Sequence, residues 1–264
     1  MKAWWADLDR ILRGEATRLP GLRRGTIETP VGGLSVVLAI LAMSYGACMG
    51  CFALFKGAGP SYMQVFASIV KVPLLFALTL AVTFPSLYVF NALMGSRLTP
   101  RSVARLLLTS LAVIVAVLAS LGPIVAFFSV STASYPFMVL LNVAVFAVSG
   151  VLGLSFLLQT LHRLSLVRPL PAPTEADELV GDEKPCELEV PHPGALDPIE
   201  DQVPSGRVKA VFRCWVILFG LVGAQMGWVL RPFLGNPAIP FTWFRARESS
   251  FFEAVWLSLQ SVLS

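Results

Sequence analysis

The chain is 264 residues long, 56% hydrophobic and only 14% charged, with a formal net charge of +4. Apolar content this high, gathered into blocks, takes it out of the soluble globular range. The small positive charge is spread over the connectors between blocks, which excludes a nucleic-acid surface and matches anionic lipid headgroups instead.

Residues 1–30 read as a cytoplasmic amphipathic arm. Trp4, Trp5, Leu8, Ile11 and Leu12 recur at helical spacing with charge between them. That pattern predicts a short interfacial helix with Trp4 and Trp5 as anchors at headgroup level. A short soluble helix packed on the cytoplasmic side is the alternative. Asp7, Asp9 and Glu15 interrupt the run where a signal peptide would need an apolar core, so none is expected.

Residues 31–163 read as four membrane spans. The first covers residues 33–55, without a charge, and holds Tyr45, Cys48 and Cys51. Gly46 and Gly50 form a small-xxx-small pair, which predicts a close-packing helix face. Cys48-Met-Gly-Cys51 has redox spacing but lies inside an apolar run without a second such motif, and so reads as structural. The next block is long for one upright span. It divides into an interfacial lead-in at 62–70 and a span at 72–94, with Lys71 snorkelling to the surface. Pro85 lies inside this span and is a hinge candidate, since it frees the Ala81 carbonyl. Thr99 and Pro100 supply an N-cap and a first helical position for the third span, 103–128, where Pro123 is a second hinge candidate. The fourth span, 136–160, carries Asn142 and a small-residue patch at Ser149, Gly150 and Gly153.

After Arg163 the chain changes character. Residues 164–208 are Pro-rich and hold most of the sixteen acidic residues, among them Glu175, Asp177, Glu178, Asp182 and Glu183. Such composition predicts a cytoplasmic loop that cannot bury enough apolar surface to order itself. It is read as a solvated spacer, or alternatively as a docking strip for a basic partner.

The fifth span, 209–232, brings Gly220, Gly223 and Gly227 at three- and four-residue spacing, a predicted helix-packing seam, with Gln225 on a different face. Residues 233–264 are expected to form an outer-face cap, anchored by Trp243 and its aromatic neighbours. An amphipathic tail anchored by Trp256 then lies along the interface.

The fold class is therefore all-α: a polytopic helical membrane bundle of five transmembrane helices with N- and C-terminal interfacial amphipathic helices. Lys and Arg concentrate in the N-terminal arm, at Arg97, Arg101 and Arg105, and in the long loop, which predicts a cytoplasmic N-terminus and an outside C-terminus. No carboxylate lies between Glu28 and Glu175, which argues against a carboxylate-based ion pump. Walker, GxSxG and HExxH patterns are missing, so no catalytic, cofactor-binding or metal residues are expected.

The runs GAQMGWVLRPFLGNP, FRARESSFFEAV and KVPLLFALTLAVTFPSLYVFNALMGSRL resemble a family of uncharacterised bacterial multi-pass inner-membrane proteins. In layout alone the chain is similar to Yip-type membrane proteins. The first resemblance implies a bacterial inner-membrane location and no assigned activity, and the second carries over no functional residues. The residues themselves point to a non-enzymatic scaffold or accessory subunit, with a membrane-protein partner or a homo-oligomer as its assembly. The alternative is a transporter or channel subunit whose polar path would run through Tyr45, Asn91, Asn142 and Gln225.

Overall fold

The computed structural model describes residues 2–13, 31–55, 61–93, 100–166, 206–231, 233–235, 241–244 and 250–263. Among them there are seven α-helices and no strand: α1 (Lys2–Leu12), α2 (Val31–Phe55), α3 (Tyr62–Leu93), α4 (Pro100–Ser131), α5 (Tyr135–Leu166), α6 (Gly206–Val229) and α7 (Phe251–Leu263). Four of them, α2 to α5, contain segments long and apolar enough to cross a membrane. Large apolar side chains stand outward along these helices, among them Val82, Phe127 and Val151. Such surfaces would be an aggregation hazard in water and suit hydrocarbon.

The helix ends follow the local sequence. Pro100 opens α4, where its missing N–H costs nothing. Ser134 caps α5, its hydroxyl accepting from the Phe137 amide at 3.4 Å. Ser250 does the same for α7, accepting from the Glu253 amide at 3.3 Å, with Glu253 at the third position of a capping-box sequence.

α2 is the central helix. It packs along α3 and α4, α4 packs on α5, and α6 is held chiefly by α3. The closest approaches are made at glycines. A methyl group at Gly46 would lie 2.6 Å from the Ser68 carbonyl oxygen, and one at Gly50 would lie 2.9 Å from the Val65 Cα. Between α4 and α5 the corresponding position is Gly153, where a methyl would meet the Ile114 side chain at 2.1 Å. Backbones can meet at these points only because nothing projects from the glycines.

Three expectations are corrected here. The block at 62–94 is not divided at Lys71: α3 is one helix of 32 residues, with Pro73 and Pro85 both inside it. Its proline defect at 73 falls just beyond the turn pinned against Gly46, so packing on α2 carries the helix through. Trp4 and Trp5 do not face outward together, because α1 docks on α2 and α4. Trp4 lies on Gly33 with Leu8 and Ile11 buried beneath, and of the two only Trp5 is exposed. Among the described residues the glycines of α6 make no close-packing seam. A methyl at Gly223 or Gly227 would sit 3.9 or 4.0 Å from Thr79 or Leu75, and one at Gly220 would meet nothing. Side chains of α3 fill the space between α3 and α6 and keep the backbones apart.

Candidate functional site

The first group of interest is polar and lies in the bundle core. Tyr45 of α2 is fully buried, and its hydroxyl donates to Asn142 Oδ1 of α5 at 2.9 Å. The Asn142 amide in turn donates to the Met138 carbonyl one turn earlier, at 2.8 Å. Phe146 stands edge-on to the Tyr45 ring at 5.6 Å and stacks with Phe76 at 6.3 Å, so aromatic rings flank the pair. Cys48 lies one turn along α2 from Tyr45, and a methyl at Gly122 of α4 would touch its sulfur at 3.3 Å.

Of the four residues expected to line a polar path, Tyr45 and Asn142 therefore meet and satisfy each other. Gln225 does not join them, because it stands on the exposed face of α6. The Asn91 side chain lies outside the described residues. Apart from Ser68, the other buried hydroxyls among the described residues turn back on their own helices: Thr79, Thr83, Thr109, Ser110, Ser129, Ser149 and Thr160 each donate to a carbonyl three or four residues earlier. A hydroxyl bonded this way presents no free proton to a passing solute. Pro85 and Pro123, the hinge candidates, both lie within continuous helices.

The second group lies where the chain folds back after α6. At the end of that helix the Arg231 guanidinium stacks 3.8 Å over the Trp228 ring. The Phe233 carbonyl then accepts from Gln64 Nε2 at 3.0 Å and faces the Ser68 hydroxyl at 2.5 Å. Leu234 is buried, and Gly235 passes so close to α2 that a methyl there would lie 2.8 Å from the Ala53 Cβ. Residues 233–235 thus wedge between the C-terminal end of α2 and the N-terminal end of α3.

Farther along, Lys71 of α3 is buried. Its ammonium donates to the Trp243 carbonyl and lies 5.1 Å from the centre of the Phe244 ring. Trp243 is set edge-on to Phe66 at 6.4 Å and to Phe241 at 5.8 Å. The snorkelling expected for Lys71 is therefore corrected: the ammonium turns inward beneath residues 241–244. A charge-assisted hydrogen bond of about 1.5–3 kcal/mol and a cation–π contact of about 0.5–2 kcal/mol oppose the cost of dehydrating it. A signal for this contact was present in the sequence. Lys71 lies nine residues into the apolar block, about 14 Å along α3, and is followed by a distant aromatic-rich segment able to cover it. Gln64 and Ser68, two turns and one turn before Lys71, carried no comparable signal.

The other anchors face outward. Trp243 is 41% exposed and Trp256 of α7 is 60% exposed. α7 packs on α5 and α6, with Phe251 against Trp228 at 6.5 Å between ring centres. Among the described residues no cluster of three His, Cys, Asp or Glu is placed to hold a metal ion.

The chain is thus an all-helical protein, among the described residues, with four helices able to span a membrane, a closed polar pair in its core and a folded-back segment at one end. Comparison with protein-family models, curated proteins and solved structures finds no match in any of the three.

Proposed function

We propose that the protein is a non-enzymatic integral membrane scaffold or accessory subunit, spanning a bacterial inner membrane five times with its N-terminus in the cytoplasm and its C-terminus outside. The observation that carries this reading is the closed Tyr45–Asn142 pair together with the hydroxyls that bond their own helices. A transport route needs side chains that can exchange protein partners for solute. Here the Tyr45–Asn142 pair and the buried hydroxyls that bond their own helices, among the described residues, already have partners.

Counting α6 as the fifth span has its own support. It is 24 residues long, about 36 Å, and the run between Arg213 and Arg231 carries no charged residue. The bacterial location follows the sequence resemblance, and the orientation follows the Lys and Arg distribution.

Cys48 reports on the core. In a variant that keeps Cys48 alone (Cys51→Ser, Cys186→Ser, Cys214→Ser), a water-soluble thiol reagent should leave Cys48 unmodified in membranes and modify it after denaturation. Rapid modification in opened membranes would reveal a water path beside Tyr45 and favour the transporter reading. A scaffold should also leave native membranes in mild detergent as part of a discrete larger assembly, and elution as a free monomer would count against it.

A further inference from the structure

The face that α6 turns away from α3 is incomplete in one respect. Cys214, Ile217, Leu218, Leu221 and Gln225 are exposed along it, Ile217 by 65%. All but Gln225 are suited to lipid. Gln225 lies about 9 Å inside the helix from Arg231, within the uncharged run. Its amide makes no hydrogen bond to any described residue. Hydrocarbon cannot satisfy a primary amide, so the side chain needs a partner beyond the described residues.

We infer that this face is where a second copy of the chain docks, α6 beside α6 in parallel about a two-fold axis along the membrane normal, with the two Gln225 amides hydrogen-bonded to each other. A primary amide carries both a donor and an acceptor, so it is its own complement. Two-fold symmetry places each Gln225 opposite its counterpart at the same depth, which an unrelated helix would have to match independently. The face has no charged side chain between Arg213 and Arg231, so like charges do not meet in hydrocarbon. Cys214, Ile217 and Leu221 follow at spacings of three and four, forming one line that two parallel helices can share. The inference rests on the membrane-spanning reading of α6.

The test uses the full chain in its native membranes. With Cys214 as the sole cysteine, copper-phenanthroline oxidation should yield a disulfide-linked dimer, because paired Cα atoms must come within about 7 Å. Ile217→Cys and Leu221→Cys, each as the sole cysteine, should also cross-link. Val151→Cys, on the exposed face of α5, should not. In liposomes at graded dilution, energy transfer between labelled copies should show dimers. Gln225→Leu should weaken them about 3- to 20-fold, the range of one interhelical hydrogen bond in a membrane, while Gln225→Asn should retain part of the affinity. Both substitutions are on the surface, so helix content and melting should stay unchanged.

Monomers at all dilutions, cross-links no more efficient at α6 than at Val151→Cys, or joining of Cys214 to a different protein would each overturn the inference. Its failure is separable from that of the scaffold reading. A water-accessible Cys48 in a dimer removes the scaffold and keeps this interface, whereas a protected Cys48 in a chain that leaves native membranes only with a different protein does the reverse.

Discussion

A glycine matters to this bundle where a neighbouring element leaves no room for a methyl, and most where that neighbour is backbone. At Gly46 an added methyl would meet the Ser68 carbonyl at 2.6 Å, and that oxygen is backbone within a packed helix, so it cannot swing away. Gly46→Ala and Gly50→Ala should therefore force α2 and α3 apart and destabilise the protein by about 1–3 kcal/mol, as overpacking does. Gly223→Ala should be neutral or stabilising, because its methyl finds ordinary contact at 3.9 Å and alanine favours the helix by up to about 1 kcal/mol. Melting of the detergent-solubilised variants checks the difference in sign, and equal losses at all three sites would refute it. The small-xxx-small spacing was visible at both places in the sequence. What it could not reveal is that Thr79 and Leu75 stand between α3 and α6, because that depends on which α3 face α6 meets. The Tyr45–Asn142 bond was likewise half legible: both residues stood out as polar groups in apolar runs, yet nothing local joined positions 97 apart. Tyr45→Phe and Asn142→Ala should each cost about 1–2 kcal/mol, and a double-mutant cycle between them should return a coupling of about 0.6–1.7 kcal/mol. Additive losses would show that the bond carries no weight.

Among the elements, the segment after α6 is bound at two separate places, and each should loosen alone. Residues 233–235 hang on Gln64 and Ser68, while 241–244 hang on Lys71. Lys71→Met keeps the length of the side chain but removes the ammonium, and with it both the bond to the Trp243 carbonyl and the attraction to Phe244. Amide exchange at 241–244 should then rise at least tenfold while 233–235 remain protected. A paired Gln64→Ala, Ser68→Ala variant should do the opposite. Unchanged exchange in both would mean that aromatic packing by Phe66, Phe241 and Trp243 holds the segment without these polar contacts. The aromatic content of this segment was legible, while its prolines lie outside the described residues. Its docking partner was misread because surface-seeking is the usual behaviour of a lysine in an apolar block. Here aromatic rings and a carbonyl offered the ammonium a solvation shell of their own. α3 was misread for a related reason: Pro73 next to a charge has the local appearance of a break, and only the contact with Gly46 a turn earlier shows why the helix continues.

On the scale of the whole molecule, if α2 to α5 each cross the bilayer, the short sequence links between them make them alternate in direction, and the number of further crossings decides where the two ends lie. With α6 crossing, the connector at 164–208 shares a side with the N-terminal arm, and α7 lies on the opposite side. The distribution of Lys and Arg fits this arrangement. Lys2, Arg10, Arg13, Arg18, Arg23 and Arg24 precede α2, and Arg163, Arg168, Lys184, Arg207, Lys209 and Arg213 flank or occupy the connector to α6. Putting both clusters outside would oppose the bias that orients helical membrane proteins. Cys186 lies in this connector, outside the described residues, and makes the orientation measurable. As the sole cysteine it should resist an impermeant maleimide in intact cells and react once the membrane is opened, whereas a cysteine introduced for exposed Ser261 of α7 should react in both. If Cys186 reacts in intact cells and Ser261→Cys does not, the molecule is inverted. If both sites react only after opening, α6 fails to cross, and the two-fold contact inferred for its outer face loses its setting in the bilayer.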